Sequence, residues 1–354
     1  MKNMFGRSKS KGNYAYTATK AKAMKSQLMK EDDYNKMLQL GMSELIHFVS
    51  EAGYSKEIAE LGDKMKGIDL IERATYYNMA TTFKTLLNGS QGELHTVLAA
   101  YLQKWDNWNI KVILRGKSYG VSADDIRDDT VPAGSMSAEV LDRLIALDSI
   151  DEIISAYEKI ESITIPSEVL HEYHETGNLG KIEDFIDTYQ YVRLLKILNI
   201  NNIPTHMFSD YIRTEIDFRN LETIMKLKAE GVYGDAVMQY IIPGGRQIDN
   251  KFAKQLADAE KIEDTFGDLA QLDFYEDLKD YIDEGVADAR TVSQISQKHK
   301  IRLAKRFSSQ YPLSVLPVVD YMINMENEAR NVRTIARGIE SGLSREDIKS
   351  LLVI

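Results

Sequence analysis

Three segments of this chain read alike, and they stand at equal distances. Asn109-Ile110-Lys111-Val112-Ile113-Leu114-Arg115-Gly116 is followed by Asn220-Leu221-Glu222-Thr223-Ile224-Met225-Lys226-Leu227. Asn331-Val332-Arg333-Thr334-Ile335-Ala336-Arg337-Gly338 comes third. The offset is 111 residues both times, 220 − 109 and 331 − 220. The register continues outside the motif. Gly120, Gly231 and Gly342 share a column, as do Val121, Val232 and Leu343, then Ile126, Val237 and Ile348, then Val131, Ile242 and Val353. Pro132 and Pro243 align, each followed two residues later by Gly134 and Gly245. Upstream, Asp106, Asp217 and Glu328 align, as do Tyr101, Ile212 and Ile323, and Val97, Phe208 and Val319. A gap-free period of this kind indicates one structural unit written three times. A chain of 354 residues also suits two or three domains rather than one core. The expected division is a basic tail at 1–13 and helical units at 14–132, 133–243 and 244–354.

Each unit reads as helical, so the fold class expected is all-α. Proline is rare, 6 residues in the chain, and the stretches between prolines are rich in good helix formers. The strand-like Ser162-Ile163-Thr164-Ile165 stops at Pro166 and is expected to be an extended loop. In the second copy Phe208, Ile212, Ile216, Leu221, Ile224 and Met225 mark the apolar stripe of an amphipathic helix. That helix is expected to end in Arg115, Lys226 or Arg337, cations suited to the negative end of a helix dipole. Gly120, Gly231 or Gly342 then supplies the helix stop, because glycine reaches positive φ cheaply. A short helix carrying Ile126, Val237 or Ile348 follows, and Pro-x-Gly turns the chain into the next unit. Earlier helices are expected around 14–29, 43–48 and 71–87, giving about five per unit. Asparagine inside a helix costs several tenths of a kcal/mol against alanine, roughly. Asn109, Asn220 and Asn331 therefore need a use, and bonding the backbone of an adjacent helix end or inter-unit turn is the expected one.

Composition narrows the function. A net charge of −10 disfavours nucleic acid as a partner. Cysteine is absent, which excludes disulfides and thiolate chemistry. No apolar run reaches the ~18 residues of a membrane span. Lys2, Arg7, Lys9 and Lys11 precede no apolar segment and read as a frayed tail, not a signal peptide. Arg115-Gly116-Lys117-Ser118 resembles the end of a P-loop, but Lys111 stands where the first glycine is required and a helix precedes it. His171-Glu172-Tyr173-His174-Glu175 spaces its histidines at i and i+3, not the i and i+4 of a zinc helix. Asp124-Asp125 and Asp128-Asp129 lack the glycine and terminal glutamate of a calcium loop. Trp105 falls in the column of Ile216 and is expected in the core, while Trp105 with Trp108 as a stacking surface is the alternative. No catalytic residue, cofactor, metal or small-molecule substrate is expected.

The opening Tyr16-x-x-x-Lys20-x-Lys22-Ala23-Met24-x-Ser26-x-Leu28, with the three Asn-apolar-x-x-Ile segments, resembles the C/d subunits of A/V-type rotary ATP synthases over nearly the whole chain. Where that family tends to have Asn-Ala-Arg-x-Arg, Ala18-Thr19-Lys20-Ala21-Lys22 stands here; lysine keeps the charge but not the bidentate fork. The resemblance implies three helical units closing into a pseudo-three-fold funnel on the cytoplasmic face of the cell membrane. The narrow end would rest on the membrane rotor ring of small hydrophobic subunits. The cavity would receive the central stalk, subunits D and F. Such a subunit is not an enzyme. It turns with the rotor and couples ion flow to ATP synthesis or hydrolysis. The acidic balance suits a basic stalk foot. A permanent joint should bury on the order of 2,000 Å² or more. A linear helical-repeat scaffold for peptides is the main rival, although solenoid repeats run to ~30–47 residues. A helical enzyme with an acidic pocket is the second.

Overall fold

A computed structural model describes residues 12–199, 202–261, 263–285 and 287–354. Lys2, Arg7, Lys9 and Lys11 of the expected tail lie outside them. The described residues form nineteen α-helices and no strand. The first seven are α1 (Tyr14–Lys25), α2 (Glu31–Met37), α3 (Met42–Val49), α4 (Ser55–Leu61), α5 (Gly67–Gly89), α6 (Gly92–Ser118) and α7 (Ala123–Asp129). Next come α8 (Ala138–Ile145), α9 (Ile150–Glu161), α10 (Ser167–Thr176), α11 (Gly180–Leu198), α12 (Ile203–Ala229) and α13 (Asp235–Met238). The last six are α14 (Asn250–Asp258), α15 (Phe266–Leu269), α16 (Tyr275–Asp283), α17 (Ala289–Gln310), α18 (Leu316–Glu340) and α19 (Arg345–Leu351). Seven helices precede Pro132 where about five were expected. Gly53, at φ 112° in the π-helical turn Ser50–Tyr54, breaks α3 from α4 in a stretch with little sequence period of its own. The segment 163–166 is loop, as the proline demands.

The long helices α6, α12 and α18 carry the apolar stripe. Their last residues are Ser118, Ala229 and Glu340, so Arg115, Lys226 and Arg337 sit in the last turn rather than at the end. Gly120, Gly231 and Gly342 follow at φ 68°, 80° and 67°, the left-handed region where a side chain is strained. The short helices after them differ for a local reason. Ser122 and Ser344 cap α7 and α19, accepting from the N–H of Asp125 and Asp347. Tyr233 stands at the matching place before α13, which lacks a side-chain cap and runs only four residues. At the contact between long and short helix, Gly116 and Gly338 have room only for Ile126 and Ile348, whereas bulkier Leu227 faces the smaller Val237.

The core divides in a way that positions the site. The N-terminal halves of the long helices meet in one central cluster, with Leu98 and Tyr101 of α6, Phe208 and Ile212 of α12, and Val319 and Met322 of α18. Their C-terminal halves enter three other clusters. Ile110, Ile113 and Leu114 of α6 pack with Leu141, Ile153 and Ile182. Leu221, Ile224 and Met225 of α12 pack with Leu256, Leu278 and Val292. Val332, Ile335 and Ala336 of α18 pack with Met37, Leu45 and Ile71, from the beginning of the chain. Each outer cluster therefore joins one long helix to helices that come after it, and the last also returns to the start of the chain.

Candidate functional site

Two sets of buried polar side chains clasp these clusters. Asn109, on α6, is fully buried; its Nδ2 donates to the carbonyl of Val131 at 2.8 Å and its Oδ1 accepts from the Val131 N–H at 2.7 Å. Asn220 makes the same two bonds to Ile242, both at 2.9 Å. Asn331 makes them to Val353 at 2.8 and 3.1 Å. Val131, Ile242 and Val353 are themselves buried in non-helical chain, where their peptide groups reach neither a helix ladder nor bulk water. A primary amide offers one donor and one acceptor side by side, which is why asparagine stands there. Asn220→Ala should cost about 2–4 kcal/mol, because two buried backbone groups lose their partners. An unchanged urea midpoint for that variant would refute the clasp.

One turn earlier stand the carboxylates. Asp106 accepts from the Ser135 N–H at 2.8 Å, the Ser135 hydroxyl at 2.7 Å and the Met136 N–H at 2.8 Å. Asp217 accepts from the N–H groups of Gln247 and Ile248 at 3.0 and 2.9 Å. Glu328 accepts from the Met29 N–H at 2.5 Å and the Tyr54 hydroxyl at 2.7 Å. Burial raises all three carboxyls, Asp217 to about 6, while the donors pull each back down. Gly134 and Gly245 are explained by the same contacts: a Cβ at either would overlap the carboxylate of Asp106 or Asp217.

Between the long helices lies a charged cavity. An inner chamber of 290 Å³ is walled by α6, α12 and α18 with α11 and α17. It shares Trp108 and Arg330 with an outer cleft of 980 Å³ between α5, α6 and α18. In the inner chamber Lys104 pairs with Glu326 at 2.7 Å and lies over the Tyr101 ring at 4.2 Å. Lys300 faces Glu215 at 3.8 Å, and the Tyr191 hydroxyl donates to Glu215 at 3.0 Å. Burial pushes the Glu215 carboxyl up, but Lys300, Lys104 and Arg219 outweigh it and hold it below its ordinary value. Burial lowers the Lys300 ammonium. Trp105 packs against the central cluster and donates from its indole to Glu326 at 3.3 Å, while Trp108 is 44% exposed at the cavity.

The other candidate residues are not brought together. Asn109, Asn220 and Asn331 serve separate seams. Arg115 pairs with Glu183, Lys226 with Glu222 at 2.6 Å, and Arg337 with Glu72. Gly116, Lys117 and Ser118 form the last turn of α6. His171 and His174 are surface side chains beside Glu175 and Asp151. Asp124 and Asp125 open α7. Among the described residues no helix is long and apolar enough to cross a membrane. The sequence reading missed the cavity arginines Arg219 and Arg330. They occupy the column of Trp108, between the core columns, where a shared inward direction was the available signal.

Fold and site together define an all-α structural protein whose buried polar groups hold chain segments to one another. The chain belongs to the ATP synthase (C/AC39) subunit family, whose model matches residues 17–351. It is 35% identical over 354 residues to the C subunit of the A-type ATP synthase of Methanococcoides burtonii, covering 100% of this chain and 98% of that one. It is 35% identical over 347 residues to the A-type ATP synthase C subunit of Archaeoglobus fulgidus, with 97% and 98% covered. To that of Haloferax volcanii it is 31% identical over 357 residues, with 97% and 98% covered. The chain is thus a subunit of an A/V-type ATP synthase, and a non-catalytic component of that complex.

Proposed function

We propose that this protein is the rotor piece that joins the central stalk, subunits D and F, to the membrane rotor ring. Ion flow and ATP synthesis or hydrolysis are thereby linked mechanically. In this reading residues 14–132, 133–243 and 244–354 are three copies of one helical unit, folded about a common axis as a funnel on the cytoplasmic face of the membrane. The observation that carries it is the sharing of one central core by the N-terminal halves of α6, α12 and α18, while their C-terminal halves part into separate cores beyond a cavity at the middle of the three helices. Converging ends make a narrow base and parting ends make a mouth. Helices packed in this way are stiff, as a torque-bearing part must be. At the narrow end Ile203 and Leu313 are 58% and 64% exposed, apolar side chains suited to the ring.

Copurification tests the assignment. Tagged chain drawn from detergent-solubilised membranes should bring down the stalk proteins and a small hydrophobic ring protein. A chain that arrives alone would sink it.

A further inference from the structure

The net charge of the chain is −10, yet the cavity wall has the opposite sign. In the inner chamber Lys104, Lys111, Arg219, Lys300 and Arg330 stand against Asp187, Glu215 and Glu326, five cations to three carboxylates. In the outer cleft the cations number six, Arg333 and Arg337 among them, against Asp69, Glu72, Asp128 and Asp129. Most of these charges are paired. Lys104 meets Glu326, Lys111 meets Asp187 at 2.6 Å, Lys300 meets Glu215, Arg73 meets Asp128 at 3.6 Å, and Arg337 meets Glu72.

Lys64 and Lys66 of the outer cleft and three arginines are in no ion pair among the described residues, and the arginines carry the forked group. Among the described residues, no carboxylate lies within 4.0 Å of Arg219, Arg330 or Arg333. Arg219 lies over the Tyr191 ring at 5.8 Å, and Arg333 lies over the Tyr76 ring at 3.9 Å with its Nε donating to the Ala329 carbonyl at 3.0 Å. These contacts orient the guanidinium planes. Glu215 and Asp187 act on Arg219, and Glu326 on Arg330, only from beyond ion-pair distance. Arg330 and Arg333 are one turn apart on α18, so two like charges share one wall. Half-buried like charges weaken a fold unless a partner answers them.

We propose that the stalk element entering this cavity has an acidic helical tip, and that Arg219, Arg330 and Arg333 receive its carboxylates. The inference rests on the reading of the cavity as the stalk socket and adds the chemistry of the partner. An arginine fork matches a carboxylate bidentately, and the carbonyl end of a helix adds negative charge of its own. The acidity of the whole chain does not oppose this, because at ~0.15 M salt charges beyond ~8 Å are screened and the tip meets only the wall.

The test uses the full chain and its purified D–F stalk, with affinity measured from low to high NaCl. Wild-type binding should weaken steeply with salt. The triple variant Arg219→Gln, Arg330→Gln, Arg333→Gln should bind about 100-fold more weakly at low salt, with a flatter salt dependence. Its circular-dichroism spectrum should match wild type, and the double variant Arg330→Gln, Arg333→Gln, which leaves the support of Arg219 for Glu215 in place, should also bind the stalk more weakly. A poly-glutamate peptide should displace the stalk and a poly-lysine peptide should not. A triple variant that binds the stalk like wild type, or displacement by poly-lysine instead, overturns this inference while leaving the socket in place. Wild-type chain that binds no stalk overturns the socket reading and this inference with it. If inorganic tripolyphosphate binds the arginines and the stalk binds undisturbed beside it, the site serves a small polyanion and the proposal falls.

Discussion

Gly134→Ala should destabilise the chain by about 3 kcal/mol, and Gly245→Ala by a similar amount. Gly89→Ala should raise stability by about 0.5 kcal/mol. The contrast comes from what a methyl group meets. At Gly134 it overlaps the Asp106 carboxylate, so the carboxylate must leave the Ser135 N–H, the Ser135 hydroxyl and the Met136 N–H, or the loop must move away from it. Either way a fully buried charge loses its donors, which is among the most damaging changes a core can suffer. At Gly245 the methyl group overlaps the Asp217 carboxylate. At Gly89, exposed at the end of α5, nothing lies within 4 Å and the backbone is helical. Urea unfolding of the three variants checks the ordering. The mechanism is isolated by repeating Gly134→Ala in an Asp106→Ala background, where the penalty should shrink to less than half. An undiminished penalty would show that the glycine answers some other constraint.

Glu328→Ala should cost a comparable ~3 kcal/mol, and it should loosen the start of the chain selectively. Glu328 is 4% exposed and holds both the Met29 N–H and the Tyr54 hydroxyl, groups nearly three hundred residues away in sequence. Alanine leaves both without an acceptor and removes the hook between α18 and the α1–α2 connection. Limited proteolysis should then cut first between 26 and 30. Glu328→Gln should be milder, because the Tyr54 hydroxyl can rotate to accept from the new amide. Uniform proteolysis along the chain would contradict the assigned role.

These two predictions mark where the sequence was readable and where it was not. The columns of Asn109 and Val131, and of Asp106 and Gly134, all stand out at the 111-residue spacing. Their pairing does not, because columns record which positions recur and not which of them touch. Glu328 stands in its column, but its partners follow no register: Met29 and Met136 are 107 apart, 136 − 29. Glutamate, one methylene longer than the aspartates it aligns with, spans a contact of different geometry. The short helices α2 to α4 were poorly resolved by pattern, since each offers fewer than three turns of apolar period. The cavity arginines escaped notice because whole-chain charge says nothing of which charges share a wall. His171 and His174, by contrast, attract the eye as a motif and lie on the outer surface.

The return of the outermost packing to the chain's beginning has a consequence for biosynthesis. Tyr34, Met37, Leu45, Val49 and Tyr54 emerge from the ribosome early, yet the apolar groups that cover them include Val332, Ile335, Ile348 and Leu352. Segments usually fold in the order they are made. Here these helices stay without their cover until residues 332–352 have been made, so nascent chains that stop before residue 332 would expose a raw apolar face to chaperones and proteases.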